Sequence, residues 1–339
     1  MANSTASNNA VPDRAIPDMA ELTKFGIQAA DEGPHPHSPE HLWWNESWFL
    51  DWFNAEGSQA GHMRIGLHPN QDRAFIWITL YADGEWMLLE EPRLPMDSVD
   101  TDRLACDSWG LSFEWDRSDA LRSGRLRAEG HGRIMTGPRA GMTAPFTIDL
   151  RYEAAGAAHS TGPSDVPGHS AQGYVANRFE QPVSLEGVAG LGDGQAFTGR
   201  GERDHSWGPR PWDMEWLFVV VGAGDYRMQW ALVDIPGLDR ITAGYVLRDT
   251  TTDITEVDCG FVYRDDDLDD PVHGPFTVTT ADGSTIGGRM ESIAGIEFDI
   301  SHCFDPPRTS SYRRTLVRFV PDEGEPAIGW IERNSFGSE

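Results

Sequence analysis

The residues best suited to chemistry lie in the stretch "GRGERDHSWGPRPWDMEW", residues 199–216. At its centre a carboxylate, Asp204, stands beside an imidazole, His205, and Arg203 immediately precedes them. A carboxylate can hold an imidazole in one tautomer or share a proton with it, and a desolvated aspartic acid can keep a raised pKa and donate a proton. We therefore predict that Asp204 and His205 are catalytic. The alternative is an ion pair between Arg203 and Asp204 that stabilises the chain and does no chemistry.

Large aromatic rings accompany this pair. Trp207, Trp212 and Trp216 follow it in the same stretch, and Trp230 lies in the next predicted strand. Such rings can bind an extended apolar substrate and stabilise a developing cation over their faces, each contact contributing about 0.5–2 kcal/mol. Proton transfer combined with cation stabilisation suits hydration, isomerisation or cyclisation of an alkene. We expect Arg203 and these four tryptophans to contribute to substrate binding.

The backbone of the stretch also carries a prediction. Gly199, Gly201 and Gly208, together with Pro209 and Pro211, indicate a rigid, irregular turn that aims the polar side chains. The same turn could exist only to join two parts of the chain.

A second aromatic segment, "HLWWNESWFLDWFN", spans residues 41–54. Read as a strand from Ser47, its alternation places Trp48, Leu50 and Trp52 on one face and Phe49, Asp51 and Phe53 on the other. One interpretation is a core-forming first strand whose tryptophans close a barrel. The other is that the segment lines a ligand cavity, and in that case Glu46 and Trp48 contribute to substrate binding.

The elements that must position these residues are strands. Short alternating or apolar runs broken by Gly, Asn, Asp and Pro recur along the chain, and no segment holds a helical stripe over three turns. In "RAFIWITLYADGEWML", residues 73–88, Asp83-Gly84 indicates a tight hairpin turn. The pattern predicts an all-β fold of antiparallel barrels or sandwiches, because few helices are available to cover sheet edges.

Three parts are expected along the chain. Residues 1–40 lack periodicity and are rich in Ser, Asn, Pro and Asp, which indicates a flexible or loosely docked N-terminal arm. Residues 41–190 form a first β domain, and residues 191–339 form a second that begins with the RDHSWG motif.

The stretch "GLGDGQ", residues 190–195, resembles a dinucleotide-binding loop, but no helix follows it.

Composition excludes several functions. The formal net charge of -27 argues against a nucleic-acid or anionic-membrane partner. No apolar run long enough for a membrane helix and no signal peptide is present, so we expect a soluble, cytoplasmic protein of unknown oligomeric state. The only lysine, Lys24, lies in the leading segment, which argues against Schiff-base and Walker-type chemistry. We predict no cofactor.

A metal site is not predicted either. Three cysteines lie far apart, and the eleven histidines form no H-x-x-x-H helix and no cluster with cysteine at ligand spacing. His35, His37 and His41 lie close together in sequence and could bind a metal adventitiously.

At these residues the chain resembles the hydroxyneurosporene synthase (carotenoid 1,2-hydratase)-like and AttH-like superfamily, in its uncharacterised bacterial branch. The resemblance rests on "GRGERDHSWGPRPW", on "WNESW" before the first domain, on "RFEQPVSLEGV" (178–188) leading into the motif and on "GWIERN" (329–334) as a closing strand. It spans roughly residues 40–335. It implies two lipocalin-like β-barrels, a cavity between or within them, and an apolar substrate.

The resemblance also implies roles for single residues. It places an acid at Asp204, with His205 beside it and Trp207 at the cavity wall. Ser206 and the Pro209-Arg210-Pro211 sequence depart from the hydratase form of the motif, so the resemblance does not extend to a carotenoid substrate. The leading hypothesis is a cofactor-independent lyase or isomerase that acts on an apolar unsaturated small molecule such as a terpenoid or polyketide. The second hypothesis is a non-catalytic binding protein for a hydrophobic small molecule.

Overall fold

The computed structural model describes residues 15–108, 110–160, 177–210, 214–222, 226–261, 273–301 and 310–336. Strands make up 67% and helices 5% of the structure, which confirms the predicted all-β fold. The only helical pieces in these ranges are short: α1 (Met19–Leu22) and 3-10 turns at Ala29–Glu32, Pro69–Gln71 and Met96–Ser98. Among the described residues, no helix has the length and apolar character needed to cross a membrane.

The strands fall into two groups that do not pair with one another. The first group is β1 (Trp44–Phe53), β2 (Ala60–His68), β3 (Arg73–Ala82), β4 (Glu85–Pro95), β5 (Val99–Asp100), β6 (Ala105–Ser108), β7 (Leu111–Asp119), β8 (Ser123–Ile134), β9 (Thr143–Ala154), β10 (His159–Ser160), β11 (Asn177–Leu191) and β12 (Gln195–Pro209). The second group is β13 (Glu215–Gly222), β14 (Arg227–Asp234), β15 (Ile241–Leu247), β16 (Thr251–Cys259), β17 (Gly274–Thr280), β18 (Thr285–Asp299), β19 (Ser310–Pro321) and β20 (Ala327–Phe336).

Both groups close on themselves. In the first, antiparallel pairing runs from β12 through β1, β2, β3, β4, β8, β9 and β11 back to β12. We call this ring the first barrel; β4 and β8 form its shortest seam, with two residue pairs. The second group is a closed barrel in which each strand pairs with the next and β20 pairs with β13. Closure pairs the edge strands of each group with one another, which matters because the few short helices could not cover open sheet edges.

The alternation of side chains along β1 determines which of them pack inside the first barrel and which face the second barrel. Trp48, Leu50 and Trp52 are fully buried in the core of the first barrel. Phe53, on the other face, belongs to a separate apolar cluster that includes Phe218 and Trp330 of the second barrel. The alternation predicted from the sequence is therefore confirmed, and the outward face of β1 forms part of the contact between the barrels.

The predicted hairpin at Asp83-Gly84 is also confirmed. These two residues join β3 to β4 and both have positive φ, 54° and 79°. A type I′ turn requires this conformation at both central positions, and glycine adopts it without steric cost.

The chemistry-bearing stretch is a strand rather than the irregular turn expected from its glycines and prolines. Residues up to Pro209 belong to β12, which lies between β11 and β1. Its glycines allow close approach: a Cβ at Gly201 would lie 1.8 Å from the backbone oxygen of Asp51, and one at Gly199 would lie 2.3 Å from that of Phe53. The break between the two sheets therefore falls between Pro209 and Glu215, later than the division at residue 191 expected from the sequence.

Residues 15–40 pack against the first barrel. Leu22, Ile27 and Glu32 are buried, and the Glu32 carboxylate accepts two hydrogen bonds from the Arg203 guanidinium, at 2.6 and 2.8 Å. This described part of the N-terminal arm is thus tied to β12 by a buried, bidentate ion pair.

A buried ion network joins the two barrels. Arg314 of β19 donates to Asp51 of β1 at 2.7 Å and to Glu332 of β20 at 2.8 Å, and the Arg314 and Asp51 side chains are both fully buried. Tyr245 of β15 adds a hydrogen bond to Glu202 of β12 at 2.6 Å. Because these charges have left water, each depends on its partner across the joint.

Replacing Arg314 by methionine is therefore expected to lower the free energy of unfolding by about 3–5 kcal/mol, because Asp51 and Glu332 would stay buried without their shared cation. The matched control is Arg240→Met, which breaks an exposed ion pair with Asp234 and is expected to cost about 0–1 kcal/mol. Urea unfolding measures both variants. Equally small effects would show that the network does not hold the joint.

Candidate active site

A cavity of about 100 Å³ lies between the two barrels. Its polar lining comes largely from the first barrel: Arg64, Arg178, Glu180, Asp204 and Ser206, with Arg210 just beyond β12 and Gln229 and Glu332 from the second barrel. Its apolar lining is mostly from the second barrel: Met214, Trp216, Phe218, Ala231, Val233, Ile235, Ile241 and Ala243, with Phe49 from β1. Ligand sites commonly have this composition, an apolar wall facing a few convergent polar groups.

Two carboxyl groups and one guanidinium form the polar centre of the cavity. Glu180 of β11 and Asp204 of β12 lie directly opposite each other in the strand register. Arg178 donates through Nε to Glu180 and through Nη2 to Asp204, the latter at 2.7 Å. Both carboxyl side chains are almost completely buried, with 1% and 4% of each residue exposed. The pair therefore shares one cation in a place with little water.

The environment favours the neutral form of Glu180. Burial raises its pKa well above the usual value, and the negative charge of Asp204 raises it further, while Arg178 only partly opposes these effects. Glu180 Oε2 and Asp204 Oδ1 are buried atoms for which no hydrogen-bond partner is found among the described residues. Two neighbouring carboxyl groups, each with one oxygen not engaged, are suited to give and take a proton.

Positive charge is concentrated around this pair. Arg64 and Arg210 also line the cavity, and burial together with the charges of Arg64 and Arg178 lowers the pKa of Arg210 well below its usual value. Arg64 donates to the Ser47 hydroxyl at 3.0 Å, which in turn lies 3.0 Å from the Ser206 hydroxyl. Three guanidinium groups beside one cavity favour a bound oxygen atom that carries or develops negative charge.

His205 lies on the opposite face of β12 from Asp204. Its ring stacks on Trp48 in the first barrel at 4.4 Å, its Nδ1 donates to the backbone oxygen of Asp31 at 2.7 Å, and its Nε2 lies 3.1 Å from Glu46. Adjacent residues of a strand point to opposite faces, so Asp204 and His205 do not form a pair. Asp204 and His205 were predicted to act together because this segment was predicted to be an irregular turn.

The other predicted residues also divide. Asp204 and Trp216 line the cavity, and Trp216 donates from its indole nitrogen to Glu332 at 2.7 Å. Glu46, Trp48, Arg203 and Trp207 lie with His205 on the first-barrel face of the sheet, where Trp207 stacks on His35. Trp230 packs in the core of the second barrel. Trp212 lies outside the described residues.

Glu180 and Arg178 were not predicted from the sequence, although a signal for both is present in it. The stretch "GLGDGQ" is a hairpin turn between β11 and β12, with positive φ at Gly192 and Gly194. Counting outward from this turn along two paired strands places residue 180 opposite residue 204. Arg64 and Phe49 reach the cavity only through the pairing of β1 with β2 and β12, which the sequence does not display.

Comparison with solved structures shows the fold. A Nitrosomonas europaea protein named as a candidate AttH aligns with a TM-score of 0.61 and 14% identity, covering 97% of this chain and 99% of its own. CghA aligns with a TM-score of 0.52 and 15% identity, covering 88% and 89%. Kievitone hydratase from Nectria haematococca aligns with a TM-score of 0.54 and 11% identity, covering 94% and 95%. The AttH-like fold implied by the sequence resemblance is therefore supported.

Comparison of the sequence itself gives the family. The family described as "Domain of unknown function (DUF7064)" matches residues 28–336, so the chain belongs to it. No curated protein matches the sequence.

The raised pKa of Glu180 predicts a pH dependence of stability. Glu180 holds its proton more tightly in the folded protein than in the unfolded chain, where its pKa is near 4.5. The stabilisation that this difference gives to the folded state is fully present below pH 4.5 and is lost as the pH rises through the folded-state pKa. In Glu180→Gln, which cannot ionise, we expect Tm to fall less between about pH 5 and about pH 8 than in the wild type.

Glu186→Gln is the matched control, because Glu186 is exposed on the same strand. Its melting curves should follow those of the wild type across the pH range. A Glu180→Gln profile parallel to that of the wild type would mean that Glu180 is already ionised in the folded protein.

Proposed function

We propose that this member of the DUF7064 family is a lyase or isomerase of the hydratase or cyclase type that transfers a proton to an apolar, unsaturated small molecule in the cavity between its barrels. The observation that carries the proposal is the buried Glu180–Asp204 pair, which shares Arg178 and faces the cavity. A carboxyl group whose pKa is raised by burial, next to a second carboxyl group that can accept a proton, is an arrangement suited to acid–base catalysis.

Each carboxyl group has one role in the proposed reaction. The neutral Glu180 donates its proton to a carbon of the substrate double bond, and the π electrons form the new C–H bond. In a hydration, water attacks the adjacent carbon and Asp204 takes the proton that the water loses. In a cyclisation, a second double bond attacks instead, and Asp204 removes a proton from the resulting cyclic cation to give the neutral product. Transfer of that proton from Asp204 to Glu180, opposite it in the sheet, restores the starting state.

The remaining lining residues indicate the kind of substrate. Trp216, Phe218 and Phe49 provide aromatic surface for an apolar skeleton. Arg64 and Arg210 are suited to an oxygen substituent that already carries negative charge, such as a phenolate or enolate, and that charge offsets the positive charge that protonation develops on the neighbouring carbon. We therefore propose an unsaturated molecule with a largely apolar body and an acidic oxygen near the reacting carbons.

The structural neighbours support a reaction of this kind. One is a hydratase by name, and CghA has also been crystallised with Sch210972. At 11–15% identity these neighbours share the fold, and they supply probes for an experiment: kievitone for addition of water and Sch210972 for occupancy of the cavity.

The test is proton transfer from solvent. Wild-type protein incubated with kievitone in D2O is expected to incorporate deuterium at carbon, detected by mass spectrometry. Glu180→Gln and Asp204→Asn should each lower the rate by about 10²–10⁴, the usual contribution of a positioned acid or base. Glu186→Gln serves again as the control. Rates within about threefold of wild type in both site variants would end the proposed roles.

A second candidate function is non-catalytic binding of a hydrophobic small molecule. It is favoured by the apolar wall of the second barrel, which makes up about half of the lining residues. In that case Sch210972 or kievitone would be retained by the protein in native mass spectrometry, and neither carboxyl substitution would change a chemical rate. The two buried carboxyl oxygens that face no described partner favour the enzyme over the carrier.

A further inference from the structure

Three potential metal ligands converge on the face of β12 opposite the cavity. They are His35 of the N-terminal arm, Glu46 of β1 and His205 of β12, and one ligand atom from each lies within 4.8 Å of the other two. His35 Nδ1 is 2.8 Å and His205 Nε2 is 3.1 Å from Glu46 Oε1. Ligands on a tetrahedral zinc ion with bonds of about 2.0–2.1 Å are separated by about 3.4 Å, so small movements would admit an ion.

The two imidazoles are already oriented as ligands. His205 Nδ1 donates to the Asp31 backbone oxygen at 2.7 Å, which directs Nε2 at Glu46. Metal-binding histidines usually donate their second ring nitrogen to such an oxygen. His35 stacks on Trp207, with ring centroids 4.0 Å apart and planes within 3°. Packing and hydrogen bonds therefore hold both rings with one nitrogen toward the same carboxylate.

Three nitrogen atoms converge on one oxygen of the buried Glu46 carboxylate. Its Oε1 accepts a hydrogen bond from the backbone N–H of His35 and lies within 3.1 Å of one ring nitrogen of His35 and one of His205. Each ring also has its other nitrogen near an oxygen of Asp31, 3.7 Å away in the case of His35. A divalent ion bound here would place positive charge beside the buried carboxylate.

We propose that His35, Glu46 and His205 bind a divalent transition-metal ion of the zinc type and that the ion fastens the N-terminal arm to the first barrel. Two imidazoles and a carboxylate suit such an ion and leave a fourth position for water. The three ligands come from three separate parts of the chain, so the ion would cross-link the arm to β1 and β12. This site lies on the other face of the sheet from the cavity and does not depend on the proposed reaction.

The first experiment measures binding to the full chain, with any affinity tag removed. Chelator-treated protein is titrated with Co²⁺, followed by visible absorption, and with Zn²⁺, followed by Tm. We expect one equivalent to bind and Tm to rise by about 5 °C at a hundredfold excess over Kd. His35→Ala should weaken binding by at least about 100-fold, since it removes a ligand. The matched control, His37→Ala, alters an exposed histidine of the same arm and should bind as the wild type does.

A second measurement tests the fastening directly. Lys24 is the only lysine in the chain, so a lysine-specific protease makes a single cut, within the arm. Zn²⁺ should slow this cut at least about tenfold in the wild type and in His37→Ala, and should have no effect in His35→Ala. Glu46→Gln, which keeps the shape of the side chain, should lose the zinc effect as well and shows whether the carboxylate is a ligand.

Several results would overturn the proposal. One is weak binding of several metal equivalents instead of tight binding of one. The others are equal metal affinity of the wild type and His35→Ala, and a rate of cleavage at Lys24 that Zn²⁺ does not lower. If His35→Ala melts well below the metal-free wild type, His35→Gln, which can still donate to Glu46, replaces it in every measurement. None of these outcomes bears on deuterium incorporation at the cavity, so failure here and failure of the proposed function are distinguishable.

Discussion

The period-two alternation of β12 is the constraint on which the rest of the structure depends. Hydrogen bonds to β1 and β11 fix this strand on both sides, so consecutive side chains enter different spaces. Asp204 enters the cavity between the barrels, while His205 enters the first barrel and contacts the arm. A slip of one residue would exchange the two environments. The contact of Gly201 with the Asp51 backbone, where no Cβ fits, opposes such a slip.

Three arginines, two of them buried and Arg178 half-buried, organise the charges that this arrangement encloses. Arg203 binds Glu32 of the arm, Arg178 binds the cavity carboxyls, and Arg314 binds carboxylates from both barrels. A guanidinium presents donors in a planar fork and can serve two acceptors at once, which an ammonium does less well. The chain's single lysine lies in the arm. In the arm, at the cavity and at the barrel joint, an arginine therefore bonds directly to buried carboxyl groups, and loss of that arginine would remove their hydrogen-bonded cation.

The features that could be predicted from the sequence depend on interactions between residues close together in the chain, and those that could not depend on residues far apart in it. Local patterns gave the strands, the two faces of β1 and the turn at Asp83-Gly84, because alternation and turn conformation are set by neighbouring residues. The separation of Asp204 from His205 was within reach, had the same alternation been applied to the motif. The contact of Glu32 with Arg203 joins residues 171 positions apart. No rule of sequence spacing predicts such a contact. The cluster of His35, Glu46 and His205 could not be predicted for the same reason, because its residues come from distant parts of the sequence.

The position of the carboxyl pair explains how an ordinary glutamate becomes an acid. Burial is the largest cause of the raised pKa of Glu180, and that burial exists only when the second barrel covers the outer face of β11 and β12. Asp51, part of the ion network at the joint, adds a further negative charge that raises the same pKa. Docking of the barrels therefore excludes water and raises the pKa of Glu180 together. In the proposed reaction the second barrel contributes an apolar wall and, by burying Glu180, also favours the protonated form that donates.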